Sequence, residues 1–252
     1  WNYNPLEKFE SLELFRTAGR EFWAAGGVSS WNSLFPRVYN SYINWTNLST
    51  QAWEAGANGF LLTDWGDYGH MQPLGLSLYG YLIGGLQAAW PKPRTGAELE
   101  NALWPLFMAD GQMQEGFRAL MDSNLAYHLK TDFKTMSVYY FFDDMLDGLS
   151  MRGNEKYEKL TEETFRQLLA CGERACRLLE DAKTAESISG FRYPDEGWKA
   201  LFGERYLQEL QLSARMTRFI GQKGLLACRI RRQFEDVWLL RAKHKGIQTS
   251  LS

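Results

Sequence analysis

The stretch Gly59-Phe60-Leu61-Leu62-Thr63-Asp64-Trp65-Gly66-Asp67-Tyr68-Gly69-His70 decides the fold. Its apolar run, bracketed by Gly59 and Gly66, reads as a strand covered on both faces, as in a parallel sheet; periodicity alone also admits a buried helix. In parallel α/β architectures ligands gather where such strands end, because the loops there vary over a rigid scaffold. Asp64, Trp65, Asp67 and His70 are therefore the first candidate site residues.

Working upstream, Arg37 to Ala55 reads as an amphipathic helix, with Tyr42, Trp45, Leu48 and Ala52 on one side and Gly56 as its stop. Before it, Glu21 to Ala25 reads as a second short strand. Gly26 and Gly27 then open a loop that carries Ser29, Ser30, Trp31 and Asn32. A first helix is expected from Pro5 to Ala18. The order helix, strand, helix, strand makes a parallel unit, because strands joined by a helix of this length pair in parallel. Downstream, Pro73 to Trp90 reads as a long helix, broken by Pro91-Lys92-Pro93.

The composition shifts there, which places a domain boundary near residue 93 and divides the chain into residues 1–92 and 93–252. Thr95-Gly96-Ala97-Glu98 has the spacing of a capping box, and Thr161 is a good N-cap for Glu162 to Lys183. Further helices are expected over Glu98–Phe107, Gly111–Leu129, Thr135–Gly148, Trp198–Ile220 and Leu225–Lys245. Nothing after residue 93 reads as a strand. The expected fold class is α/β plus α.

At 252 residues the chain can bury a sizeable core, and its net charge of −2 argues against a nucleic-acid partner. Residues 1–90 hold four Lys/Arg against seven Asp/Glu, which disfavours an anionic substrate. Eight of the ten Trp fall in residues 1–104, so the aromatic excess belongs to one part of the chain. Flat rings suit cores, and they also suit the C–H faces of sugars. Core packing is the expectation for Trp23, Trp45, Trp53 and Trp90.

Cys171, Cys176 and Cys228 form neither a disulfide framework nor a metal pairing, and free thiols fit a reducing compartment. The Asn44 and Asn47 triplets match the glycosylation sequon but lie within an expected helix. No apolar run approaches the roughly 18 residues of a membrane span. No signal peptide is visible, and a cytoplasmic location is expected. With Trp1 first and no Met, the chain reads as a piece of a longer protein.

Asp143-Asp144-Met145-Leu146-Asp147 matches the aspartate-rich pattern with which terpene synthases hold magnesium, but no second metal motif or cationic diphosphate pocket accompanies it. The basic residues from Arg229 to Lys245 are interrupted by Glu235 and Asp236 and read as a solvated face. His70, His128 and His244 lack metal-ligand spacing, and there is no P-loop, nucleophile elbow or complete dinucleotide fingerprint, so no cofactor is expected. Asp64 and Asp67 are close enough to be considered as a hydrolytic carboxylate pair; the alternatives are that Asp64 caps its loop and Asp67 starts a turn.

Phe60 to Leu74, together with Phe22-Trp23-Ala24-Ala25-Gly26-Gly27-Val28-Ser29-Ser30-Trp31-Asn32-Ser33-Leu34, resembles a bacterial branch of the family 20 glycoside hydrolases, the β-N-acetylhexosaminidases. The resemblance implies the last strands and helices of a TIM (β/α)8 barrel, with Glu21–Ala25 as the seventh strand and Phe60–Thr63 as the eighth, followed by a mostly α-helical domain. It also implies a retaining mechanism in which the sugar's 2-acetamido oxygen attacks the anomeric carbon, a Glu protonates the leaving oxygen and an Asp orients the acetamido group. That Asp-Glu pair belongs near the fourth strand and is not in this chain.

What the resemblance assigns here is a sugar-binding wall. Trp65 matches the eighth-strand Trp that stacks on the terminal N-acetylhexosamine or closes the acetamido pocket. Asp67 falls where many members place a Glu that accepts from sugar hydroxyls, and is one methylene shorter. Trp31 matches the seventh-strand aromatic region, Trp1 or Tyr3 lines the pocket from the sixth, and His70 is a hydrogen-bonding pocket residue. The expected partners are such a carbohydrate and the N-terminal barrel portion. A strand at Phe22–Ala25 with an unpaired edge also raises the possibility of a homo-oligomer.

Overall fold

The computed structural model describes residues 1–67, 69–126, 137–142, 144, 160–190 and 192–244. Its elements are α1 (Glu10–Thr17), β1 (Trp23–Val28), α2 (Val38–Glu54), β2 (Gly59–Asp64), α3 (Gly75–Ala89), α4 (Gly96–Phe107), α5 (Gly111–Leu125), α6 (Ser137–Phe142), α7 (Glu162–Glu180), α8 (Ala185–Ser189), α9 (Glu196–Phe202) and α10 (Glu204–His244). This is a mixed α/β chain, mostly helical, with two strands among the described residues. The strands pair in parallel, with Trp23 opposite Gly59 and Val28 opposite Asp64, so both end at the same level.

Helices cover one face of this sheet. Glycines allow the close approach: a Cβ on Gly80 would lie 2.7 Å from the Val28 side chain, and one on Gly84 would lie 2.6 Å from that of Leu62. The other face is open, with Trp23 65% and Leu61 52% exposed. The expectation of a strand buried on both faces is corrected here. The apolar run of β2 is covered by helices on one side only. Core packing holds for Trp45 but not for Trp23, Trp53 or Trp90, which are 65%, 69% and 58% exposed.

α1 begins at Glu10 rather than Pro5, because the preceding backbone is held by side chains of α2 rather than by helical hydrogen bonds. Asn47 donates to the Leu6 carbonyl at 2.8 Å. Gln51 donates to the Glu7 carbonyl at 2.8 Å and accepts from the Phe9 amide at 3.0 Å. β1 is displaced downstream of the expected strand and takes in Gly26 and Gly27. These glycines serve close approach rather than a turn.

The core is continuous across residue 93, running from Val28 and Trp45 through Leu76 and Phe117 to Leu179 and Leu210. Both N-caps read from sequence form. Thr95 and Glu98 make a reciprocal capping box on α4, and Thr161 and Thr164 do so on α7. Where two helices were expected over 198–245, α10 runs unbroken for 41 residues after the short α9. Gly221 and Gly224, in the gap between those two expected helices, lie against the backbone and the Phe165 ring of α7.

Asp144 is exposed. Asp143, Asp147, His128 and Lys245 lie outside the described residues. Cys171, Cys176 and Cys228 are free and half-buried, and burial pushes each thiol up. Among the described residues no helix is long and apolar enough to cross a membrane.

A polar relay crosses this core. Trp104 Nε1 donates to the Tyr79 hydroxyl at 3.0 Å, Tyr79 bonds the Tyr42 hydroxyl, and Tyr42 donates to Glu100 Oε1 at 3.1 Å. The Arg118 guanidinium lies 3.4 Å from Glu100 Oε2 and 4.2 Å from the centre of the Trp104 ring. Of these, Tyr42, Glu100 and Arg118 border a cavity of about 440 Å³.

Burial raises the Glu100 carboxyl above the usual range, against the pull of Tyr42 and Arg118. A carboxyl whose proton is held more tightly in the folded chain contributes stability that is complete below the unfolded pKa and is lost as pH rises through the folded value. Glu100→Gln cannot titrate. The unmodified chain is therefore expected to lose stability relative to this variant from about pH 4 upward, by no more than about 1.4 kcal/mol per pH unit, the slope for one proton. Urea denaturation over a pH series measures this, and parallel curves would remove Glu100 from the linkage.

Candidate functional site

β1 and β2 end side by side, and the loops leaving them carry the candidate residues. Thr63, near the end of β2, bonds across the sheet to the Gly26 carbonyl at 3.0 Å. Its Oγ1 also accepts from Trp65 Nε1 at 3.0 Å, and the same indole N–H lies 2.6 Å from the Tyr3 hydroxyl. The Tyr3 ring centre is 6.3 Å from that of Trp65 and 5.5 Å from that of Trp31. Three aromatic rings from three segments thus meet over the strand ends.

Gly27 permits this meeting. A Cβ there would lie 3.0 Å from the Tyr3 ring and 3.1 Å from Thr63 Oγ1. Trp65 is 46% exposed, so the cluster is open to solvent.

Trp31 is held by a residue that the sequence reading passed over. Arg37, only 2% exposed, donates to the Ser29 carbonyl at 3.2 Å and to the Trp31 carbonyl at 2.7 Å. Its guanidinium lies 5.0 Å from the Trp31 ring centre. Asn32 completes the turn at φ 56°, a left-handed conformation that Asn tolerates. An Arg at the start of a helix, just after a polar loop, was the available signal.

Asp64 sits beneath the cluster. Its side chain is 7% exposed. Oδ1 accepts from the Ser30 hydroxyl, and Oδ2 lies 3.3 Å from His70 Nε2. The Tyr81 phenol of α3 lies within reach of its charge. Burial, with the Asp64 carboxylate next, pushes that phenol up to about 12. Asp64 thus links the two loops to each other.

His70 Nδ1 faces the Gln72 carbonyl at 3.1 Å. Both ring nitrogens therefore face oxygen atoms. Asp67 is exposed and has no hydrogen bond or ion pair among the described residues.

Tyr3, Trp31 and Trp65 are thus brought together, with Asp64 and His70 below them and Asp67 on the exposed loop. Trp1 is 90% exposed and makes no ring contact among the described residues. Of the readings weighed for Asp64, its contacts with Ser30 and His70 match the one in which it holds its loop. Among the described residues no group of three His, Cys, Asp or Glu is arranged to hold a metal ion. Chemically, the arrangement offers apolar ring faces, with an exposed carboxylate two residues beyond Trp65 on the same loop. Comparison with family models, curated proteins and solved structures found no match.

Proposed function

We propose that Tyr3, Trp31, Trp65 and Asp67 form the sugar-binding wall of a β-N-acetylhexosaminidase-like glycosidase of the family 20 type, acting on a terminal N-acetylhexosamine with retention. One observation carries this reading. Three aromatic rings converge at the carboxyl ends of two parallel strands, on loops one of which also carries the exposed Asp67. Ring faces take up the C–H groups of a pyranose, and a carboxylate accepts from its hydroxyls.

In this reading β1 and β2 are the last two strands of a (β/α)8 barrel. The sheet face bearing Trp23 and Leu61 would turn toward the barrel interior, and a further polypeptide portion would supply the other strands, the proton donor and the Asp that orients the acetamido group. The free cysteines suit a reducing compartment, and we place the protein in the cytoplasm on that ground.

Assay with an aryl N-acetylglucosaminide tests the proposal. The chain alone is expected to bind N-acetylglucosamine without hydrolysis, and hydrolysis is expected once the remaining strands are present. Trp65→Ala is expected to weaken binding by about tenfold, the value of one lost stacking contact. Binding without hydrolysis in the completed protein would point to a carbohydrate-binding module. Absence of binding in both would overturn the proposal.

A further inference from the structure

Asn44 stands on α2, on the opposite side of β1 from the aromatic cluster, and is 1% exposed. Its Nδ2 donates to the carbonyl of Asn2 at 2.9 Å and to that of Asn4 at 3.0 Å, the two residues that flank Tyr3. Both amide protons are thereby used on one short segment. Rotating the amide would set its oxygen against two carbonyls, so the orientation is fixed. The Asn2 amide adds a bond to the Ala25 carbonyl of β1 at 3.1 Å.

The same arrangement leaves Asn44 Oδ1 buried with no partner. A residue chosen for packing alone would not carry that cost. β1 is shaped to admit it, since a Cβ on Gly26 would lie 2.6 Å from this oxygen. Gly26 therefore makes room for Asn44 and Gly27 for Tyr3, on successive residues whose side-chain directions point to opposite faces of the sheet.

We propose that Asn44 is a positioning residue for Trp65. It clamps the carbonyls on either side of Tyr3, and the Tyr3 hydroxyl in turn receives the Trp65 indole N–H and sets the angle of that ring. The consequence for sugar affinity rests on the reading of the cluster as a sugar wall; the clamp itself does not. Asn44 also heads a glycosylation sequon, but with both amide protons committed and the side chain buried it serves the fold instead.

The test uses the full chain labelled with nitrogen-15. Trp65→Phe identifies the Trp65 indole resonance, and hydrogen exchange of that N–H reads the clamp directly. Asn44→Leu keeps the shape but cannot donate. It is expected to speed Trp65 indole exchange and to weaken N-acetylglucosamine binding, each by about tenfold, as for one lost hydrogen bond. Tyr3→Phe is expected to do the same, and the double variant to be no worse than Tyr3→Phe alone, because the two act in series.

The buried indole of Trp45, which bonds the Gly27 carbonyl at 3.0 Å, serves as the internal reference and is expected not to change. If Asn44→Leu does not fold, Asn44→Ser removes the reach with a smaller side chain. Unchanged Trp65 exchange, or Trp45 exchange rising in parallel, overturns the clamp. If Trp65 exchange rises selectively while N-acetylglucosamine binds neither the wild type nor Asn44→Leu, the clamp stands and the sugar reading fails.

Discussion

Gly221→Ala is expected to destabilise the chain by about 3 kcal/mol, although alanine is the better helix former by about 1 kcal/mol. The reason lies in how α7 and α10 cross. A Cβ on Gly221 would lie 2.5 Å from the Leu169 backbone nitrogen, and one on Gly172 would lie 2.4 Å from that of Arg218. Backbone cannot rotate away as a side-chain tip can. The helices would have to separate, loosening the packing of Phe165, Leu168, Ile220 and Ala227.

Gly85→Ala is the control, because it sits exposed on α3 with nothing within 4 Å of an added Cβ. It is expected to gain about 0.5–1 kcal/mol. Urea denaturation separates the two, with the midpoint falling for Gly221→Ala, rising for Gly85→Ala, and the slope unchanged in both. If Gly221→Ala proved as benign as Gly85→Ala, the two helices could not cross as closely as they do here.

The glycines explain where the sequence could be read and where it could not. The helix, strand, helix, strand order was legible because apolar periodicity and turn residues agree over Val38–Glu54 and Gly59–Asp64. Gly26 and Gly27 read as the opening of a loop, and Gly221 and Gly224 fall in the gap between two expected helices. A glycine that ends an element and one that admits a neighbour look alike in one dimension, and only the partner tells them apart. At Gly27 that partner is Tyr3, 24 residues upstream, and at Gly221 it is Leu169, 52 residues upstream.

The candidate site was legible as a set of aromatic residues at strand ends, and Tyr3, Trp31 and Trp65 do meet. What holds them was not legible. Arg37, just before α2, and Asn44, within it, are polar residues in a stretch whose pattern foretells an apolar stripe, and periodicity treats such residues as solvent-facing. One signal was present. Asn44, Asn47 and Gln51 recur at intervals of three and four, placing three amides on one face of α2, where they bind the backbone of residues 2–9. A row of amides on a buried helix face has no reason to exist unless backbone lies opposite it.

Trp45→Ala is expected to cost about 4 kcal/mol, while Trp53→Ala, eight residues on in the same helix, is expected to stay within about 0.5 kcal/mol. The residue type is the same and the sequence expectation was the same. Trp45 is 1% exposed and Trp53 is 69% exposed. Trp45 also bonds the Gly27 carbonyl, and its ring lies 3.3 Å from where a Gly80 Cβ would stand, so it fills the space between α2, α3 and β1.

Truncating Trp45 opens a cavity at the junction of three elements and strips the Gly27 carbonyl of its donor. Trp45→Phe restores most of the apolar volume but not the donor and is expected to fall between, near 1–2 kcal/mol. The denaturation midpoints should therefore rank wild type, then Phe, then Ala. Equal losses for Trp45→Ala and Trp53→Ala would contradict the burial on which this ranking depends. Because Gly27 lies directly under the Tyr3 ring, Trp45 anchors from behind the same strand end that Asn44 flanks, and α2 is thus the element on which the geometry of the aromatic wall depends.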